Sequence, residues 1–205
     1  MDTPVTSTTI QTQSQEQTQR VAAAVAQGLG SGGVVALEGD LGAGKTIFVK
    51  GMAEQLGLDP TQVTSPTFTL IDEHDLPDGR ILIHVDAWRL GSDEVSELGL
   101  QEHLSSDRTI VAIEWAQRIA DVLPPDHVKI VIEILDPERR SITITPMGDA
   151  ACVIESPGVC PVCNEEASVA TAPFCTSRCR LVDLGQWFDG RHVIHRPIGE
   201  DDLLE

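Results

Sequence analysis

Basic residues are scarce in this chain: 14 lysines and arginines stand against 32 aspartates and glutamates, for a formal net charge of −18. Sequence-independent binding to DNA or RNA works by neutralising phosphates with Lys and Arg, so the balance argues against a direct grip on either. An acidic surface suits a basic protein partner, or simply solubility. Long apolar runs are missing as well. Nothing approaches the ~18 residues that a membrane-spanning helix requires, and no membrane contact is expected. The opening stretch, MDTPVTSTTIQTQSQEQ, has neither a basic n-region nor an apolar h-region. Without a secretory signal the expected location is the cytoplasm. Disulfides are rare there, so the five cysteines point to metal rather than to cross-links. No internal repeat is visible.

What is present fills one ordinary domain and a small second one. Ser14-Gln15-Glu16-Gln17 has capping-box spacing before QRVAAAVAQGL, which predicts a helix from about 14 to 29 after a short strand near 5–11. SGG at 31–33 ends that helix, and VVALEG is a buried strand feeding a glycine-rich loop. TIFVKGMAEQLGL then has helical periodicity and stops at Gly57, with Pro60 beyond. ILIHVD at 81–86 and TIVAIEW at 109–115 are rich in β-branched residues and deliver a carboxylate at the end of each strand, where α/β sheets bind ligands. KIVIEIL at 129–135 and RSITIT at 140–145 form a closing hairpin around DPER. The expected fold class is α/β: a three-layer α/β/α sandwich on a mostly parallel sheet with an antiparallel edge. Composition shifts near Met147. The expected organisation is a first domain over 1–149, a linker over 150–158, a cysteine module with a helix over 159–198 and an acidic tail over 199–205.

The loop carries the chemistry. Gly39, Asp40, Leu41, Gly42, Ala43, Gly44, Lys45 and Thr46 fit G-x-x-x-x-G-K-[ST], with a strand before and a helix after, as a P-loop NTPase requires. The glycines let backbone N–H groups turn around a β-phosphate, Lys45 reaches the β/γ oxygens, and the Thr46 hydroxyl ligates Mg²⁺. A bound nucleoside triphosphate such as ATP is expected. Asp86 stands where a Walker-B carboxylate holds magnesium, directly or through water; the alternative is a strand-end acid facing solvent. Glu114 either orients the attacking water or ligates the metal. In SPTFTL at 65–70, the Ser65 and Thr67 hydroxyls either approach the metal or γ-phosphate, as in a switch loop, or cap a turn entering a strand. His84 lies on the Asp86 face of its strand and reads as a satisfied strand histidine, with a catalytic histidine as the alternative. Trp88 and Trp115 either pack beside the nucleotide or cover the sheet edge, and core packing is the expectation.

Cys160-Pro-Val-Cys163 and Cys175-Thr-Ser-Arg-Cys179 are two short-spaced pairs separated by eleven residues. They present four thiolates for tetrahedral Zn²⁺, the second pair at a helix start; a redox dithiol is the alternative. A segment this short has too small a core to fold alone, so zinc would supply folding free energy on the order of 10 kcal/mol. Cys152 reads as a bystander.

LEGDLGAGKT, SPTFTL, HVDAWRL, SELGLQE and IEW, in that order, closely resemble the TsaE (YjeE) family over residues from about 5 to 147. The resemblance implies a P-loop ATPase that acts with the TsaB–TsaD pair in placing threonylcarbamoyl on adenosine 37 of tRNA. It implies Thr46 and Glu114 as magnesium residues, Asp86 as the acid supporting metal and water, and Lys45 as the γ-phosphate contact. It also places the start of the first helix, at Ser14 and Gln15, near adenine, and an arginine of the late hairpin, Arg140, near the nucleotide. Family members usually have tyrosine at the positions of Trp88 and often His74; this chain contains none. CPVC followed by APFCTSRCRLVDLGQWF resembles the YacG family of zinc proteins, over about 159–198, with a shorter loop between the cysteine pairs than that family usually has. This implies a contact with the GyrB subunit of DNA gyrase. From Phe174 to the tail, Arg178, Arg180, Arg191 and Arg196 outnumber Asp183 and Asp189, so that part is locally basic and suits a protein or nucleic-acid contact, or docking on its own ATPase domain. Two readings of the whole remain: an ATPase of tRNA modification, or a nucleotide-sensing binder whose zinc module contacts gyrase. A small-molecule kinase is disfavoured, for the chain shows no lid or acceptor motif.

Overall fold

A computed structural model describes residues 7–91, 95, 98–150, 152 and 158–188, with the side chains of 187 and 188 left aside. The acidic tail, most of the expected linker, Arg191, Arg196, Asp189, two residues of SELGLQE and the start of the first strand fall outside the described residues. The chain divides into two compact units, Met1–Glu155 and Ser156–Glu205.

The first unit runs β1 (Thr8–Thr12), α1 (Gln15–Gly28), β2 (Gly33–Glu38), α2 (Lys45–Gln55), β3 (Ile71–Asp75), β4 (Ile81–Asp86), α3 (Leu100–Leu104), β5 (Thr109–Glu114), β6 (Val128–Ile134) and β7 (Arg140–Pro146). Short 3-10 segments, Ala87–Arg89 and Ala116–Val122, follow β4 and β5. The seven strands form one sheet in the order β1-β7-β6-β2-β5-β4-β3. Strands β6, β2, β5 and β4 are parallel. Both flanks are antiparallel: β7 on β6 and β1 on β7 at one end, β3 on β4 at the other. The hairpin of β6 and β7 turns where DPER predicted, with Asp136 Oδ1 accepting from the N–H groups of Glu138 and Arg139. The second antiparallel flank was not foreseen. IDEHD of β3 has no apolar alternation because it sits at a sheet edge, half exposed.

Strand position in the sheet accounts for the residue pattern. Every residue of β5 is buried, as the continuous run TIVAIE requires of a central parallel strand. On one face Val34, Ala36, Ile83, Val85, Val111 and Ile113 pack in a cluster with Leu90, Leu100 and Ile119. Alternate residues, including Leu37, Leu82 and Ile110, are buried toward the other face, and burying each such side chain stabilises the fold by about 1.5–3 kcal/mol. There α1 packs along α2. Ser14 caps α1 by accepting from the Gln17 N–H at 3.3 Å, while the Gln17 side chain accepts from the Gln13 N–H at 2.8 Å, one residue beyond the usual reciprocal bond. Close approach of the two helices depends on Gly51, where a Cβ would come within 2.5 Å of the Gln19 backbone.

The second unit has a knuckle closed by the Cys160 N–H to the Glu165 carbonyl (2.8 Å) and the Asn164 N–H to the Cys160 carbonyl (2.9 Å). It continues to α4 (Ser177–Phe188), the helix expected from SRCRLVDLGQWF. Among its described residues the buried apolar ones are Cys160, Ala167 and Ala170. No helix among the described residues is long and apolar enough to cross a membrane.

Candidate functional site

Parallel strands end together, so β2, β4 and β5 bring their following residues to one edge of the sheet. The glycine loop leaves β2 there and enters α2. Gly39 turns it: its φ is +148°, and a Cβ would stand 2.4 Å from the Ile132 carbonyl oxygen of β6, so only glycine fits. Lys45, first residue of α2, is buried and donates to the carbonyls of Gly39 (2.8 Å) and Asp40 (3.0 Å). Its Nζ also lies 3.5 Å from the centre of the Trp115 ring. Burial pushes the Lys45 pKa below its ordinary value, against the pull of Glu114, Asp86 and Asp40.

Register sets the carboxylates side by side, since Asp86 of β4 is paired with Glu114 of β5. Both are almost fully buried. Glu114 Oε1 accepts from Thr46 Oγ1 at 2.7 Å and lies 2.9 Å from His84 Nε2. Asp86 Oδ2 accepts from Thr67 Oγ1 (2.8 Å) and Ser65 Oγ (3.2 Å), and Oδ1 accepts from the Trp88 N–H (2.9 Å). Asp86 therefore faces the loop at 65–70 and not open solvent. The hydroxyls of Ser65 and Thr67, 2.9 Å apart, turn toward the acid instead of capping a strand.

A cavity of about 550 Å³ opens over this group, lined by Leu41, Lys45, Thr46, Thr67, Asp86 and Glu114 among others. A second, of about 360 Å³, lies across the loop and is lined by Ser14, Gln15, Glu16, Pro137, Glu138 and Arg140. Gly42, Gly44 and Ile47 line both, so the loop is a wall shared between them. The structure thus brings Gln15 and Arg140 to one side of the loop, and Thr67, Asp86 and Glu114 to the other. Arg140 also braces the loop itself: Nε donates to the Ala43 carbonyl at 2.9 Å and one terminal nitrogen to the Asp136 carbonyl at 2.8 Å. Asp40, Leu41 and Gly42 are exposed at its tip.

Trp88 does not pack in the core as expected, whereas Trp115 is partly buried against the core cluster. Trp88 is 44% exposed, and the two rings stand 4.5 Å apart on the rim of the larger cavity. The Arg118 guanidinium lies 4.6 Å over Trp88, so cations sandwich the pair, Lys45 at one end and Arg118 at the other. Arg118 carries no motif and was missed; it comes to the site through the 3-10 segment after β5. Glu138 and Pro137 were missed too, although their place in the DPER turn beside Arg140 was legible.

In the second unit, one sulfur from each of Cys160, Cys163, Cys175 and Cys179 lies within 4.8 Å of all the others. Cys163 and Cys175 are 3.3 Å apart, Cys175 and Cys179 3.5 Å, Cys179 and Cys163 3.7 Å. Zn–S bonds of ~2.3 Å in a tetrahedron put sulfurs about 3.8 Å apart, so this donor set fits zinc. Burial disfavours the Cys160 thiolate, yet N–H groups of Cys175, Val162 and Cys163 outweigh it and bring its pKa down to about 6. Cys152 is outside the cluster, and burial raises its pKa.

A family model described as threonylcarbamoyl adenosine biosynthesis protein TsaE matches residues 12–142, and one described as DNA gyrase inhibitor YacG matches residues 159–205. The tRNA threonylcarbamoyladenosine biosynthesis protein TsaE of Bacillus subtilis is 42% identical over 135 residues, 65% of this chain and 82% of its own length. That of Treponema pallidum is 41% identical over 133 residues, 64% of this chain and 95% of its own. The crystal structure of Bacillus subtilis YdiB matches with a TM-score of 0.58 at 36% identity, covering 72% of this chain and 90% of that one.

Proposed function

From the premise that the chain belongs to the TsaE family, and so has a role in tRNA threonylcarbamoyladenosine biosynthesis, we propose that its first unit hydrolyses Mg²⁺-bound ATP in concert with a TsaB–TsaD pair in the cytoplasm. The observation that carries this is the convergence of Lys45, Thr46, Asp86 and Glu114 beneath one glycine loop, with a nucleoside-sized cavity across it. A loop that only bound phosphate would not need two buried carboxylates at its mouth.

The donors fit magnesium, for they are hard oxygens: the Thr46 hydroxyl with the carboxylates of Glu114 and Asp86. What a bound Mg²⁺ supplies is neutralisation of charge on the β- and γ-phosphate oxygens. The chain's own residues do the rest. Backbone N–H groups from 39 to 46 cradle the phosphates, and Lys45 exchanges its two carbonyl partners for β/γ oxygens. Glu114 uses Oε1 for Thr46 and His84, leaving Oε2 for the metal or a water. Asp86 holds the Ser65–Thr67 loop against the site, and Arg140 keeps the loop carbonyls facing away from the nucleotide. Gln15 and Arg140 flank the adenine side.

The zinc module is the surface proposed to meet GyrB, supported by the match to a family described as gyrase inhibitors. Glu114→Gln separates enzyme from sensor. It is expected to leave ATP affinity within about three-fold and to lower partner-stimulated turnover by about 100-fold. ATP binding with no partner-stimulated turnover in either wild type or that variant would leave nucleotide sensing as the role of the site.

A further inference from the structure

His84 is a poor choice for the place it occupies. It sits mid-strand in ILIHVD, wholly buried, between Leu82 and Asp86 on its face of the sheet. An aliphatic side chain would fill that position without burying polar atoms, and its strand neighbours are aliphatic. Nor is the histidine fully satisfied. Nδ1 is buried and has no hydrogen-bond partner among the described residues. A proton on Nδ1 would be a buried donor with nothing to receive it, whereas an unpaired acceptor there costs less. The arrangement therefore puts the proton on Nε2, which donates to Glu114 Oε1 at 2.9 Å. The fold accepts one stranded ring nitrogen and obtains one thing in return, a fixed Glu114.

The same oxygen accepts from Thr46 Oγ1 at 2.7 Å. Two donors from different elements, β4 and the first turn of α2, thus converge on Oε1 and leave Glu114 one orientation, with Oε2 as its outward oxygen. Thr46 cannot do this alone in the working enzyme, because its hydroxyl is also a magnesium donor and must turn to the metal. His84 has no competing duty.

We propose that His84 is a positioning residue, which holds Glu114 in register for metal and water while Thr46 exchanges its carboxylate partner for Mg²⁺. The inference deepens the ATPase reading and rests on it. It predicts a separation of effects: capture of metal-free nucleotide belongs to the loop and is independent of His84, while chemistry and magnesium response depend on it.

The test compares three variants of the full chain. Glutamine places an amide nitrogen near the position of Nε2 and can still reach Glu114; asparagine places it near Nδ1 and cannot; leucine removes all polarity. Turnover of ATP with the TsaB–TsaD pair is expected to fall about ten-fold or more in His84→Asn and His84→Leu with affinity for metal-free nucleotide within about two-fold, and to be largely restored in His84→Gln. Combining His84→Asn with Glu114→Gln should be no worse than Glu114→Gln alone, since one acts through the other. Thermal midpoints check folding, and if the leucine variant does not fold, the Gln and Asn pair decides. Titration of fluorescent ADP with and without Mg²⁺ gives a readout independent of turnover: magnesium should tighten binding in wild type and His84→Gln but not in His84→Asn. If wild type turns nothing over yet shows this magnesium pattern, the hydrolysis reading fails and the role of His84 stands. Equal turnover and equal magnesium response in Gln and Asn variants would overturn it, as would a wild type lacking both.

Discussion

The two units of this chain are held together by different means. The first buries an apolar core on both faces of a seven-stranded sheet, from Val21 and Phe48 to Ile113 and Ile119. The second, among its described residues, buries two alanines and a cysteine as its apolar interior, and gathers four sulfurs within 4.8 Å. In one, packing positions the groups that would bind a metal for chemistry. In the other, the metal takes the place of packing.

The contrast breaks most visibly on removal of zinc. Chelation, or Cys175→Ser, should withdraw on the order of 10 kcal/mol of folding free energy from the second unit. Amide-exchange protection over 158–188 should vanish while the melting of the first unit stays put. Joint loss of both would show that the units are not independent. The reciprocal insult is Gly39→Ala, which drives a Cβ toward the Ile132 carbonyl. About 3 kcal/mol of stability should be lost from the first unit alone, by thermal unfolding, with zinc content unchanged.

Smaller effects sharpen the comparison. Arg140→Ala removes the brace on the Ala43 carbonyl and one wall of the smaller cavity. Nucleotide affinity should weaken about ten-fold by fluorescence titration, with little change in melting. The smallest expected effect is a proton count. Cys160 lies at about 6, so it is largely thiolate at neutral pH, while Cys163, Cys175 and Cys179 are raised above the ordinary thiol value and bind protons there. Zinc uptake at neutral pH should release about three protons, rising toward four well below pH 6, and zinc affinity should increase with pH. Calorimetry in buffers of differing ionisation enthalpy measures that number.

Much of the site was legible because its parts are local. A strand, a glycine loop and a helix follow one another from 33 to 55, and ILIHVD and TIVAIE announce themselves as buried strands ending in acids. Four cysteines in two short pairs announce a tetrahedral site. What escaped depends on register between distant segments. That Asp86 stands opposite Glu114 follows from the pairing of β4 with β5, and the His84 contact to Glu114 crosses thirty residues of sequence. Arg140 was placed by resemblance, but its hydrogen bond to a carbonyl 97 residues earlier exists because β7 begins where the loop turns. The edge strand β3 escaped for the opposite reason: half exposed, it has no need of an apolar pattern.

Steady-state ATP hydrolysis by the intact chain, alone and with its own organism's TsaB–TsaD pair, is the most direct test. Slow turnover that rises several-fold with the pair, and disappears in Lys45→Ala, is the predicted result. ATP binding with neither association nor stimulation by the pair would contradict the account.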